Sequence, residues 1–335
     1  MHLGKSYRLC EFVVWSRRTI YGLVATSLVP VLLYQVAGMT WLTQPLSVVT
    51  LLGTATTFVV GFKNVQTYTR TVEAQKIWMG IVSASRAWGV LSGQYAGDAG
   101  RDAGLVDRHL AWLTALRYQL RAPRVWETMQ NRPNAEYGRR YVIPERRLPL
   151  ESALARYLPA AQIAAMAHAD NKAAQLLDAQ GRAARRLLQD GAISPSEYAD
   201  LNNRIRDLLE LQGQAERIKD FPYPRQYAII NTLFVRAFCV ALPFGLTGQF
   251  DQIGQAAGGL MQDQMAWLAA PFSVIISWIY TSLEQVGQST ENPFEGNAND
   301  VPISQLSTMV ERDLRQMQAA AAAALPPLCA DDIVL

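Results

Sequence analysis

Residues 53–64 read GTATTFVVGFKN. Thr54, Phe58 and Phe62 recur every fourth position, and the stretch carries no charge until Lys63. Positions i and i+4 share one face of a helix, so the three side chains form a stripe that climbs about 6 Å per step. Thr50 extends the stripe backwards, and Gly53 and Gly61 flank it as places where helices can approach closely. Three readings of the phenylalanines are open from the residues alone: lipid contact, packing in a core, or the lining of a path between them.

The segment sits inside a longer uncharged run, 41–62, which is of spanning length. Before it, TIYGLVATSLVPVLLYQVAG at 19–38 also lacks charge. Pro30 in that run suits a membrane helix better than a soluble one. The two runs are separated only by 39–40, so they form a tight hairpin, with Trp41 at an interface. Two further runs, 227–247 and 265–283, are close to spanning length. Composition agrees: 50% of the 335 residues are hydrophobic and only 18% charged, below the roughly 25% of ordinary soluble chains.

Lys5, Arg8, Arg17 and Arg18 precede the first run, and Lys63, Arg70 and Lys76 follow the second. The 38–44 loop has no Lys or Arg, and 248–264 carries only Asp251 and Asp263. The positive-inside rule therefore puts both termini and the middle of the chain in the cytoplasm, and both short loops outside. No small-residue cleavage site follows the first run, so it reads as an anchor. The expected plan is a cytoplasmic segment 1–18, spans at 19–38, 41–62, 227–247 and 265–283, a cytoplasmic helical domain 63–225, a cytoplasmic segment 284–317 and an Ala-rich tail 318–335.

The insert 63–225 reads as helical, because strand alternation with two-residue Gly turns is absent. Ser194, Pro195 and Glu197 form a capping box that opens a helix, and Tyr198, Leu201, Ile205 and Leu208 follow on one face. The span at 41–62 is expected to continue as a helical stalk, GQYAGDAG at 93–100 reads as a loop, and 151–189 reads as two or so Ala-rich helices. Enzyme chemistry has no material: there is no phosphate loop, no nucleotide-fold glycine triplet after a strand and no nucleophile elbow. The three cysteines and three histidines are scattered, so neither a metal site nor a disulfide framework is expected, and no cofactor. A net charge of +3 gives no nucleic-acid footprint.

Arg236 stands inside the third run, where a charge is costly and must face protein or water. It is expected to pair with a carboxylate such as Glu73 or Glu284, or to lie near the permeation path, with Asn231 in the same polar network.

GFKNVQTYTRTVEAQKIW at 61–78, RIKDFPYPRQYA at 217–228 and STENPFEGNANDVPI at 289–303 together resemble the bestrophin family in its bacterial branch. The resemblance runs from the first span to about Ile303. It implies an all-α membrane protein with four transmembrane helices, a large helical cytoplasmic domain and assembly as a symmetric homopentamer around one pore. It also implies a bacterial inner-membrane location and passive conduction of chloride or other monovalent anions. On that resemblance Thr54, Phe58 and Phe62 match the pore neck, and Ile193 matches a cytosolic aperture. Animal members hold calcium in a clasp, and Ser289, Asn292, Asn297 and Asp300 fall on its positions. Calcium gains affinity from ligand charge, and only Glu295 and Asp300 are acidic within 292–300, so calcium dependence is not expected here. The NPF turn reads instead as packing, with Asn292 capping, Pro293 redirecting the chain and Phe294 anchoring it. Two alternatives remain at this level: a monovalent-cation channel of the same fold, and a membrane-tethered helical scaffold without flux.

Overall fold

The computed structural model describes residues 9–318, except 130, 132–133, 136–137, 139–140, 259–261 and 263, with backbone alone at 101–102. Lys5, Arg8, Asp263 and the Ala-rich tail from residue 319 lie outside the described residues. Among the described residues there are helices and no strand.

Four long helices make one end of the molecule. They are α1 (Leu9–Gln35), the first part of α2 (Leu46–Asp102), α9 (Arg225–Ala257) and α10 (Ala269–Ser289). α9 packs against α2, α10 and α1, and α10 also packs against α1 and α2. By length and composition three helical stretches can cross a membrane: Thr40–Gly100, Arg225–Ala257 and Met265–Ser289. α1 is not among them; its uncharged run within the helix is 19–35. Glycines allow close packing where the sequence puts them against large neighbours. A Cβ on Gly53 would lie 2.7 Å from the Phe238 ring, and one on Gly245 would lie 2.9 Å from Val49. Gly61, by contrast, faces open space in the protomer.

The other end is a helical domain built on the continuation of α2. Around it lie α3 (Leu105–Arg121), the short α4 (Pro144–Arg147), α5 (Leu150–Leu154) and α6 (Ala160–Ala165), then α7 (Lys172–Gln189), α8 (Pro195–Asp220) and α11 (Ile303–Met317). Trp78, Trp88 and Trp112 are fully buried in its core. Trp112 Nε1 donates to Gln212 Oε1 at 2.8 Å, which satisfies the indole without water. α8 opens on the expected capping box: Ser194 accepts from the Glu197 amide, and the Glu197 side chain accepts from the Ser194 amide. Asn171 caps α7 through the Ala174 amide, at 2.9 Å. The 151–189 stretch yields α5 to its end, α6 and α7.

The stretch 93–100 is helical, not a loop. α2 runs through it with a kink at Gly97, whose φ of 47° leaves the helical region. Ala96 is buried, and Tyr95 and Ala99 pack on the core, so burial outweighs the weak helix propensity of three glycines.

Candidate functional site

The first half of α2 has two unlike faces. Its back is held by α9 and α10. Thr56 is fully buried, the Phe238 and Tyr280 rings lie 4.6 Å apart behind Gly53, and Tyr280 OH meets Thr57 Oγ1 at 2.7 Å. Its front carries Thr50, Thr54, Phe58 and Phe62, all exposed in the protomer. Phe58 is 64% and Phe62 68% exposed, and Val65 and Tyr68 carry the exposed face further along the helix. A row of this kind on a clamped helix is a surface made for another surface, or for an enclosed space shared by several copies.

The threonines in the row are chemically quiet. Thr54 Oγ1 donates to Thr50 O at 2.9 Å, and Thr50 Oγ1 donates to Leu46 O at 2.8 Å. Each hydroxyl proton is committed to its own helix, leaving a methyl group and oxygen lone pairs to face outward. Lys63, next after Phe62, does not join the row. Its side chain turns into the bundle, 3% exposed, and meets Glu291 at 3.8 Å.

Below the bundle, the 289–303 segment closes the cytoplasmic core. Phe294 is 1% exposed and lies 6.3 Å from Trp78, so it anchors the turn in the core. Asn292 does not cap through its side chain. Its carbonyl accepts from the Glu295 amide, and its Nδ2 has no partner among the described residues.

Ser289, Asn292, Asn297 and Asp300 are all buried. Asp300 Oδ2 accepts from the Gly296 amide at 2.6 Å and the Asn297 amide at 3.1 Å, and Arg121 lies 3.4 Å away. Glu295 accepts from the Thr128 amide at 2.8 Å, from Thr128 Oγ1 at 2.6 Å and from the Asn297 side chain. Protein donors thus take both Glu295 oxygens and Asp300 Oδ2, Asp300 Oδ1 has no partner among the described residues, and a guanidinium lies 3.4 Å from Asp300. Burial is the main reason Glu295 is pushed up to about 8, with the Asp300 charge adding to it. Burial also raises Asp300, to about 6, against the pull of Arg121. Arg121 has no local signal in the sequence, being 179 residues from its partner. Only the fold brings it there.

Two expectations are corrected. Ile193 is 5% exposed and belongs to the cytoplasmic core. An aperture side chain must meet open space, and in that turn Asp190, Gly191 and Ala192 are the exposed residues. Arg236 pairs with neither expected carboxylate. Glu73 binds Arg217, and Glu284 accepts from Thr232 and from Gln288. Arg236 is exposed while Asn231 is fully buried, so the two lie on different sides of α9 and share no network. Asn231 has no hydrogen-bond partner at either side-chain polar atom among the described residues.

Comparison with known proteins identifies the family and the fold. Residues 14–316 match the family model described as Bacterial/Fungal Bestrophin protein. The chain is 27% identical over 288 residues to the voltage-dependent anion channel-forming protein YneE of Salmonella typhi, covering 85% of this chain and 79% of that one. It is 26% identical over 267 residues to the voltage-dependent anion channel-forming protein RSc3414 of Ralstonia nicotianae, covering 80% and 75%. In fold it is similar to the crystal structure of a bacterial bestrophin homologue from Klebsiella pneumoniae, with TM-score 0.74 and 23% identity, covering 90% of this chain and 98% of that one. The chain belongs to the bacterial and fungal bestrophin family.

Proposed function

We propose that this chain is the pore-forming subunit of a homopentameric channel that passively conducts chloride or other monovalent anions. The observation that carries the reading is the exposed row Thr50, Thr54, Phe58 and Phe62 on a helix whose opposite face is fixed. One helix cannot enclose a path, so the row needs symmetry mates, and the family supplies the five-fold arrangement as an expectation. In such a ring Thr54, Phe58 and Phe62 form a neck about 12 Å long. An apolar neck gates by dewetting. The ring edges of phenylalanine carry partial positive charge and accept an anion edge-on, whereas the ring faces suit a cation.

The relatives named as anion channel-forming proteins favour anions over the cation reading. α1, α2, α9 and α10 are the four spans of this arrangement, in the bacterial inner membrane with both termini cytoplasmic. Burial of Ile193 leaves the neck as the constriction proposed for this chain.

The test is flux from liposomes containing the purified pentamer. The channel reading expects chloride efflux, and it expects Phe58→Ala and Phe62→Ala each to change single-channel conductance or open probability severalfold. A membrane scaffold expects no flux and no effect of either change.

A further inference from the structure

A second polar site lies at the end of the neck segment, on the inner side of the bundle. It is a cavity of about 480 Å³ between residues 125–128 with Asn131, α2 at Lys63, the start of α9 and the end of α10. Lys63, Glu291 and Arg225 give it charge, and Trp126, Asn131 and Ala228 complete the walls that matter here. Lys63 and Glu291 are each 3% exposed and neutralise one another across 3.8 Å. Glu127 also lines the cavity, but Lys219 holds its charge. Arg225 is left over, exposed and without a salt bridge to any described residue. It starts α9, a helix with no side-chain cap; the Tyr227 and Ala228 amides turn back onto Pro224 O, which leaves the Arg225 and Gln226 amides, without a backbone partner among the described residues, to receive an anion.

One further atom points to a ligand. Glu291 lines the cavity and is buried, and its Oε1 has no hydrogen-bond partner among the described residues. Trp126 Nε1 likewise has no partner among the described residues. A ligand that suits these walls carries one negative charge for Arg225 and, a few ångströms away, an N–H or O–H for Glu291. The level in the fold narrows the source. Lys63 is the first charge after the apolar run, and α9 continues from Ala228 into an exposed apolar face with Ile229, Ile230 and Leu233.

We propose that the cavity holds the phosphodiester headgroup of a phospholipid whose headgroup bears a hydrogen-bond donor, with the acyl chains along that face of α9. Phosphatidylethanolamine and phosphatidylglycerol meet the requirement; phosphatidylcholine has no donor and does not.

The test is native mass spectrometry of the delipidated full-length protein, titrated with each of the three lipids. Ethanolamine and glycerol lipids are expected to bind at one per subunit, at least about ten-fold more tightly than the choline lipid. Arg225→Gln alters an exposed residue and keeps the fold; it should weaken both favoured lipids about ten-fold. The double change Lys63→Met with Glu291→Met replaces the buried pair by apolar groups of similar length and should abolish the preference over choline. Equal binding of all three lipids, or lipid binding unchanged in Arg225→Gln, overturns the proposal. So does equally tight binding of soluble glycerophosphoethanolamine, which would make the cavity a solute site.

Discussion

Single residues set local behaviour most clearly at His109. It is fully buried between Trp88 and Trp112, with ring centroids 6.2 Å and 5.1 Å away, and neither ring nitrogen has a partner among the described residues. Burial pushes it down from 6.5 to about 3, so it is neutral in the fold. The unfolded chain binds a proton below pH 6.5 that the folded chain refuses down to about pH 3. His109 therefore makes stability fall as pH drops through that window, and has no pH effect above it. In the variant His109→Phe the ring is kept and two unsatisfied nitrogens are removed. Thermal unfolding across pH 4 to 8 should show a shallower acid limb than the parent and unchanged or higher stability at neutral pH. An identical acid limb would remove His109 from the explanation.

Contacts between elements depend on small residues and buried charges that must match. Gly53 lets Phe238 of α9 lie against α2, and Gly53→Ala would drive a methyl group into that ring. Overpacking of this sort costs about 1–3 kcal/mol, to be read as a lower unfolding temperature of the purified protein. The same change at Gly61, which faces open space in the protomer, should leave that temperature unchanged if the site is open in the assembly as well.

The 289–303 turn depends on Arg121 in a similar way. Arg121→Met leaves Asp300 buried without its cation, while Glu145 keeps Arg117 at 2.9 Å, so a loss of about 3–5 kcal/mol is expected. The raised Glu295 and Asp300 carboxyls add a pH dependence of opposite sign to that of His109. The fold holds protons that the unfolded chain has already released, so their contribution declines as pH rises from the ordinary carboxylate range towards about 8. Scanning the unfolding temperature of Arg121→Met from pH 5 to 8 should show a larger deficit at the alkaline end, where both carboxylates are charged. A deficit independent of pH would contradict this assignment.

Across the whole molecule, much of the architecture was legible because its causes are local. The capping box at Ser194 and the uncharged runs need only neighbouring residues. The expected loop at 93–100 failed because tertiary burial of Ala96 decided against three glycines. Arg236 and Ile193 failed for a related reason. Whether a side chain on a helix faces a neighbour or open space depends on elements distant in sequence. Arg121, the partner of Asp300, was invisible on the same ground. The row Thr54, Phe58 and Phe62 was readable as a stripe, and its exposure came only with the packing of α9 and α10 behind it.

The central claim is that five such rows enclose an anion-conducting neck. Reversal potential tests it most directly, measured on the purified protein in planar bilayers under asymmetric potassium chloride. The account predicts channel currents whose reversal potential lies on the chloride side of zero and follows the chloride gradient when potassium is replaced by a large impermeant cation. A potential that follows potassium, or an absence of current from well-folded protein, would contradict it.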